Sequence, residues 1–377
     1  MTAPTGAFRI RLGSDAAEHI SYACFLASLH SQESTGDVWA AISPDDLHCQ
    51  LQLSESGAPG AAHVELWNLG QLGNAEDLGY AVIIAPTQES TSVLAFDIIP
   101  DVAFQPLPGL PRDTEVELSE SVVTAAVDVA LQRANALRRS VIQTSVLHPV
   151  DHASGFVPLI HSLCGHGFSI VHKEKHNVLS ARSMESQQFQ APDYPHGVEW
   201  IHLSNWDQRS DLVEGICRLW EEADTDIPRG ELDFTPAPWT PQRLVEARER
   251  ALADGSETLS VVAWHPNDGV IAISTALSAP GVNWAAAELG TTIVTRAYRP
   301  SSLAYISWHN LSPASNARTP KCQGTRPRRA YTQALLTQFA TRMPTPWRAS
   351  SKFLTRALYA QKHISRCAST PQHLNYF

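Results

Sequence analysis

Two arginines follow a β-branched stretch near residue 300. The residues Gly290–Val294 are typical of a β-strand, and Arg296 and Arg299 come directly after it. A guanidinium group binds a phosphate through two parallel hydrogen bonds, so this pair predicts a phosphate-binding position at the strand end. The alternative is two surface arginines without a ligand.

Two acidic side chains lie earlier, on a segment that reads Asp-x-Pro-x-Gly-Glu. Asp226 opens this segment and Glu231 closes it, and its acids, proline and glycine predict a loop after a helix. Carboxylates on such a loop would attract a cationic amine. Solvated loop acids are the alternative.

A metal site is a weaker hypothesis. His161, Cys164 and His166 form a His-x-x-Cys-x-His sequence, but no second ligand pair stands at structural-zinc spacing. We therefore expect no metal and prefer histidines that cap a helix end. The sequence also lacks a Gly-x-Ser-x-Gly motif, a Walker loop and a dinucleotide fingerprint.

The elements that would position these residues follow a regular order. A helix with Leu212 and Ile216 at helical spacing precedes the acidic loop. Thr240 and Pro241 predict the start of a second helix. A hairpin follows, because Asn267–Gly269 is turn chemistry between two strand runs. The order is helix, loop, helix, hairpin, and a strand that ends in arginines.

This order resembles the GNAT acyltransferase superfamily, and most closely the bacterial tandem-GNAT proteins, of which mycothiol synthase is a relative. The resemblance implies an α/β fold (α+β with a mixed sheet) made of two tandem GNAT-like acyl-CoA N-acyltransferase domains, the second incomplete. It also implies an N-acetyltransferase that uses acetyl-CoA as co-substrate. The acetyl group would pass directly to an amine of a small molecule.

The resemblance also assigns roles to individual residues. Glu288, just before the strand, would be the general base, with a solvated strand-end carboxylate as the alternative. The backbone amide of Val294 would hold the developing oxyanion, with an ordinary sheet hydrogen bond as the alternative. Asp226 and Glu231 would bind the acceptor substrate. The cofactor-binding set is Ile293, Val294, Thr295, Arg296 and Arg299.

The first half of the chain repeats much of this order. Its predicted elements are a strand at 8–12, a helix from 14 or 15 to about 30, a helix start at 43–46, strands at 63–69, 80–85 and 93–99, a helix at about 121–139, a strand at 141–147, a helix at 156–164 and strand segments at 168–180. The 93–99 run is almost wholly apolar and predicts a central strand. This half resembles a divergent GNAT domain, whose loop before the long helix has Gly109 and Arg112 but no Gly-x-Gly.

Length and composition are typical of a globular protein with two domains. The 377 residues suit two domains of ordinary size. Because the net charge is −10, we do not expect nucleic acid to be the partner of the globular part of the chain. No run of about 18 apolar residues and no secretory leader pattern occurs, so we expect a cytoplasmic protein without membrane contact. Six widely spaced cysteines predict free thiols.

The composition changes after Arg299. Residues 301–377 hold 11 Lys and Arg and no Asp or Glu. No glycine follows Arg299 until Gly324, so the glycines of a phosphate loop are missing. One interpretation is a basic arm that binds nucleic acid or a surface. The other, which we prefer, is a shifted reading frame beginning near codon 300, because the break falls inside the family pattern.

Together these features predict four segments. They are an N-terminal degenerate GNAT-like domain at 1–181, a linker at 182–197, the N-terminal part of a second GNAT domain at 198–300 and a basic, poorly ordered tail at 301–377. Two alternative functions stay open. One is a non-catalytic GNAT-like ligand-binding protein, and the other is nucleic-acid or surface binding through the tail.

Overall fold

A computed structural model describes residues 4–35, 41–72, 76–105, 107, 120–149, 158–180, 197–204, 209–227, 229, 231–232, 234–253, 255–278, 286–299, 331–335 and 353–363. These residues fall into two compact units. The first holds the described residues of Met1–Lys175, Arg229–Ala237 and Phe353–Phe377, and the second holds those of His176–Pro228 and Pro238–Lys352. The domain boundaries at 181 and 300 stay predictions, and the linker at 182–197 lies almost wholly outside the described residues.

The described residues form six helices and sixteen strands. The helices are α1 (Ala16–Thr35), α2 (Pro44–Ser56), α3 (Glu120–Ala136), α4 (Pro158–Gly165), α5 (Val213–Asp226) and α6 (Pro241–Ala253). The strands are β1 (Pro4–Thr5), β2 (Phe8–Ile10), β3 (His63–Asn68), β4 (Gln71–Leu72), β5 (Glu76–Asp77), β6 (Gly79–Ala85), β7 (Val93–Pro100), β8 (Val141–Thr144), β9 (Leu147–Pro149), β10 (Ser169–Ser180), β11 (Glu199–Ser204), β12 (Glu257–His265), β13 (Gly269–Ser278), β14 (Ala286–Val294), β15 (Tyr331–Leu335) and β16 (Phe353–His363).

The main sheet of the first unit has the order β2, β3, β6, β7, β8 and β16. Its neighbours are antiparallel except β7 and β8, which are parallel and pair only from Val93–Ala95 to Val141–Gln143. Strand β7 then continues to Pro100. The two parallel strands therefore separate toward the C-terminal end of β7. The prediction that the 93–99 run is a central strand is confirmed, because β7 is paired on both sides.

Helices cover both faces of this sheet. Buried side chains of α1 and α2, such as Ile20 and Leu47, form one cluster with Leu66, and side chains of α3, such as Val123, form the other with Ile83. The start of α2 follows its predicted signals. Ser43 is the N-cap, and its Oγ accepts a hydrogen bond from the Asp46 backbone nitrogen at 3.0 Å. The strand predicted at 141–147 is wrong in its extent, since β8 ends at 144 and β9 follows.

A buried carboxylate ties β3 to α3. The side chain of Glu65 is fully buried and accepts two hydrogen bonds from Arg133, both 2.7 Å long. Arg9 lies 3.0 Å away on the other side. Burial alone would raise the pKa of this carboxyl group, but hydrogen bonds from His63, Trp67 and Arg133 lower it to about 2. Glu65 therefore holds its charge because two guanidinium groups surround it.

The second unit repeats the sheet order as β11, β12, β13, β14, β15 and the end of β10. The parallel pair is here β14 with β15, joined from Ala286–Leu289 to Tyr331–Ala334, and β14 continues to Val294 beyond these pairs. Helices α5 and α6 pack on one face, where Ile216 and Ile273 share a cluster. The predicted caps and turns occur, with Thr240 Oγ1 accepting from the Arg243 backbone nitrogen at 3.2 Å and a left-handed glycine at the predicted hairpin turn.

Most of the predicted tail lies outside the described residues. Within 301–377 the structure describes only β15 and β16, so the poorly ordered tail and the shifted frame both stay predictions. Resequencing the coding DNA across codons 299–302 decides the frame. None of the described helices has the length and apolar character needed to cross a membrane.

Candidate functional site

A β-bulge interrupts β14 where the second unit's parallel strands part. Ser274 pairs with Thr292 and Ala276 pairs with Leu289, so two residues of β14, Gly290 and Thr291, stand opposite one residue of β13. The backbone packs closely at Gly290, because a Cβ atom there would lie 2.5 Å from the Thr275 Oγ1 atom and the threonine side chain would have to move. The bulge lies between the pairs with β15 and the end of β14, and it locally bends the strand.

The backbone groups of Val294 point away from β13. Val294 pairs with Ala272, and the next hydrogen bond runs from the Thr295 nitrogen to the Ile271 oxygen at 2.9 Å. That bond flanks the Val294–Ala272 pair, which is therefore a non-hydrogen-bonded pair of the antiparallel ladder. The Val294 N–H and C=O consequently face the side on which β15 pairs with the start of β14. They lie beyond the last such pair.

A short 3-10 turn, Arg296–Tyr298, follows Val294 and is held from two sides. The Tyr298 hydroxyl donates to the Asp268 carboxylate in the β12–β13 hairpin at 2.6 Å. On the other side, Arg296 Nη2 donates to Asp226 Oδ1 at 2.6 Å, and Arg299 also donates to Asp226. These contacts join the end of α5 to the end of β14.

Asp226 is the acceptor shared by both arginines. Hydrogen bonds from Arg296 and then Arg299 lower its pKa to about 2, so it is ionised at neutral pH. Glu222 lies 4.0 Å from Arg299, so two guanidinium groups face two carboxylates and their formal charges balance. Both Asp226 oxygens are engaged by arginines, and the assignment of Asp226 to the acceptor substrate stays a prediction.

The predicted base, Glu288, lies farther back along β14. The backbone of Glu288 pairs with Leu277 on one side and Gln333 on the other. Glu288 is six positions before Val294, which corresponds to roughly 18 Å along a bulged strand. Glu231 belongs to the first unit, where it is exposed and its backbone nitrogen is 3.5 Å from the Val171 oxygen. The side chain of Ile293 is buried in the cluster below α5.

Pro100 occupies the equivalent strand end in the first unit. It pairs with Gly79 at the end of the β6–β7 ladder, and the next nitrogen, that of Asp101, is 3.3 Å from the Leu78 oxygen. Asp101 then caps a 3-10 turn, just as Thr295 precedes one in the second unit. Pro100 and Val294 therefore correspond, but proline has no N–H to donate. The β6–β7 ladder also runs without a register shift.

The start of α3 in the first unit carries an acidic side chain. Glu120 lies in the first turn of the helix, where it accepts hydrogen bonds from Ser162 at 2.6 Å and from His166 at 2.8 Å. A carboxylate in this place is stabilised by the helix dipole and would repel a bound phosphate. His166 is thus part of a helix-end contact. The described residues include no cluster of three or more His, Cys, Asp or Glu side chains arranged to hold a metal ion.

Comparison with solved structures identifies proteins of similar fold. A tandem GNAT protein from the clavulanic acid biosynthesis pathway superposes with a TM-score of 0.62 at 14% identity, covering 96% of this chain and 100% of that one. A GCN5-related N-acetyltransferase from Sphaerobacter thermophilus gives 0.56 at 13% identity, covering 96% and 97%. The chain therefore has the tandem GNAT fold, a mixed α/β architecture. No protein-family model matches it, and no curated protein matches its sequence.

Sequence reasoning missed the two features that distinguish the strand ends. Pro100 was visible as a proline at the end of a predicted strand, but only strand register shows that it corresponds to Val294. The contact of Asp226 with Arg296 and Arg299 joins residues about 70 positions apart. No local spacing signals such a pair.

Proposed function

We propose that the second unit holds an acyltransferase site that moves an acetyl group from acetyl-CoA to an amine of a small molecule. The amine nitrogen attacks the thioester carbonyl carbon, a C–N bond forms, and the C–S bond breaks with CoA leaving as its thiolate. The proton of the amine passes to a base. Direct transfer of this kind needs a donor for the oxyanion and in-line placement of both substrates.

The observation that carries this proposal is the direction of the Val294 N–H. It projects from the edge of β14 beyond the pairs with β15, and a donor fixed in a strand needs no reorganisation when negative charge develops. The C=O of the same residue projects from the same strand edge and accepts a hydrogen bond from Arg299 Nε at 2.9 Å. The bulge at Gly290 separates this edge from the paired part of β14.

Arg296 supports the assignment of acetyl-CoA as donor. Its side chain is 66% exposed, and the residue lies two positions after Val294, at the start of the 3-10 turn. A guanidinium group in this position can bind a diphosphate while the acyl end of the donor reaches back along β14. The two structures of similar fold are only 14% and 13% identical to this chain, so they support the fold alone. The acetyl donor, the amine acceptor and a relation to mycothiol synthase are therefore parts of the proposal.

The proposal is tested by binding and turnover together. Calorimetric titration with CoA should give saturable binding to the full chain, and CoA should raise its Tm in proportion to the logarithm of concentration. Acetyl-CoA with a panel of small primary amines should release CoA thiol. Binding without release for every amine would favour a non-catalytic ligand-binding protein. A protein that neither binds CoA nor is stabilised by it contradicts the proposal.

For the first unit, two observations argue against acetyl transfer. Pro100 removes the amide at the position where Val294 has one, and Glu120 places a carboxylate at the start of α3. We therefore assign the transfer step to the second unit. The first unit is proposed to be catalytically silent.

A further inference from the structure

Arg299 makes a contact with the backbone that a phosphate ligand does not need. Its Nε atom donates to the Val294 carbonyl oxygen at 2.9 Å, while its Nη2 atom donates to Asp226 and lies 4.0 Å from Glu222 Oε2. The side chain is only 26% exposed. Two acceptors, the Val294 carbonyl at the end of β14 and the Asp226 carboxylate of α5, therefore fix this guanidinium group, and Glu222 adds a longer ion pair.

Arg296 is held much less firmly. Its side chain is 66% exposed, and its contacts are with Asp226, at 2.6 Å and 3.3 Å, and with Thr225 Oγ1 at 3.5 Å. A phosphate can approach Arg296 from solvent without breaking a backbone contact. The same approach to Arg299 would have to displace a carbonyl oxygen and a carboxylate.

We infer that Arg299 is a positioning residue for Val294 and that Arg296 is the arginine which meets the phosphates. This inference rests on the proposed function. The Val294 C=O and N–H project from the same strand edge. A guanidinium group bonded to that C=O limits rotation of the peptide after Val294 and so holds the edge on which the N–H lies. Asp226 acts through Arg299, because its carboxylate keeps the guanidinium group at the carbonyl.

The physical reason for arginine at this position is its planar fork. Nε and Nη2 point along one side of the guanidinium group, so one side chain can bond to the Val294 oxygen and to Asp226 at the same time. A lysine ammonium group keeps the charge but is a single point, and it cannot reproduce both contacts with that geometry. Arg299→Lys therefore separates positioning from charge.

The test uses the full chain and two independent readouts. Amide hydrogen exchange at Thr295, whose nitrogen bonds to the Ile271 oxygen, reports the order of the strand end. Arg299→Lys should speed this exchange at least tenfold and lower kcat at least tenfold, while the Kd for CoA stays within twofold of wild type. Arg296→Ala should do the reverse, raising the Kd for CoA severalfold with little change in exchange. Arg209→Lys is the matched control, since Arg209 is an exposed arginine in the same unit that pairs with Asp211.

The inference is overturned if Arg299→Lys leaves the Thr295 exchange rate unchanged, or if it weakens CoA binding as much as Arg296→Ala does. Failure of the proposed function looks different. In that case wild type and all variants show no CoA binding and no turnover, and the exchange experiment alone still decides whether Arg299 holds the strand end.

Discussion

The two units end their central strands in the same way but with different residues. In the first unit β7 closes with Pro100, after a regular ladder, and in the second β14 closes with Val294, after a bulge. Both residues are followed by a ladder hydrogen bond and a 3-10 turn. The backbone path is thus retained in both units, whereas the N–H that faces the gap between parallel strands is present only in the second. A fold can keep its geometry after one of its copies has lost a donor.

Two carboxylates, one in each unit, each contact two arginines. Glu65 binds Arg9 and Arg133 and is fully buried, whereas the Asp226 side chain is 20% exposed and one of its arginines is 66% exposed. Both carboxyl groups have a pKa of about 2. Because Glu65 is buried away from solvent, the first cluster serves to hold β3 against α3. Exposure leaves the second cluster open to an incoming anion.

Replacing Val294 with proline should have the largest effect on activity. Val294→Pro removes the N–H but breaks no bond to β13, because that N–H faces away from it, and Pro100 shows that this strand end accepts proline. Loss of one oxyanion donor costs about 100- to 1000-fold in kcat. We expect such a loss in steady-state thiol release, with the Kd for CoA within threefold. Val294→Ala is the control that keeps the N–H, and equal turnover in the two variants would remove Val294 from the mechanism.

Replacing Glu65 should have the largest effect on stability. Glu65→Gln leaves two arginines against a neutral, buried amide, and breaking a buried ion pair in this way costs about 3–5 kcal/mol. Asp226→Asn, in the more exposed cluster, should cost about 1 kcal/mol or less. Denaturant unfolding followed by fluorescence measures both. Similar losses in the two variants would contradict the distinction between a structural and an accessible cluster.

The pH dependence of stability should follow from the same carboxyl group. The folded pKa of Glu65 is about 2, below an unfolded value of about 4.3, so its contribution is complete above the unfolded pKa and is lost as the pH falls toward 2. Wild type should therefore lose unfolding free energy between about pH 5 and pH 2. Glu65→Gln should show a flatter profile over that window. An unchanged slope would mean that other carboxyl groups control acid unfolding.

Local patterns were sufficient for most elements but not for the site. Alternating and apolar runs predicted β3, β6 and β7, and the signals at Ser43 and Thr240 predicted the helix starts, because each depends on neighbours within a few residues. The bulge at Gly290 depends on the partner strand, so the sequence alone could not place it. The sequence also did not predict that Glu65 is buried, because strand alternation would put an acid on a solvent face. Its burial is explained by the tertiary contact with Arg133.

The smallest effect is expected at Glu288. A general base that touches its proton contributes about 100- to 10,000-fold, but it has to lie within hydrogen-bond reach. The backbone of Glu288 is six residues from Val294, roughly 18 Å along β14, so it would have to act through intervening water. Glu288→Gln should therefore lower kcat less than tenfold and leave the pH profile of kcat/KM unchanged. The control is Glu221→Gln, which replaces an exposed acid of the same unit. A loss of the acidic limb of that profile, where a general base becomes protonated, would restore Glu288 as the base and show that water connects the middle of β14 to its end.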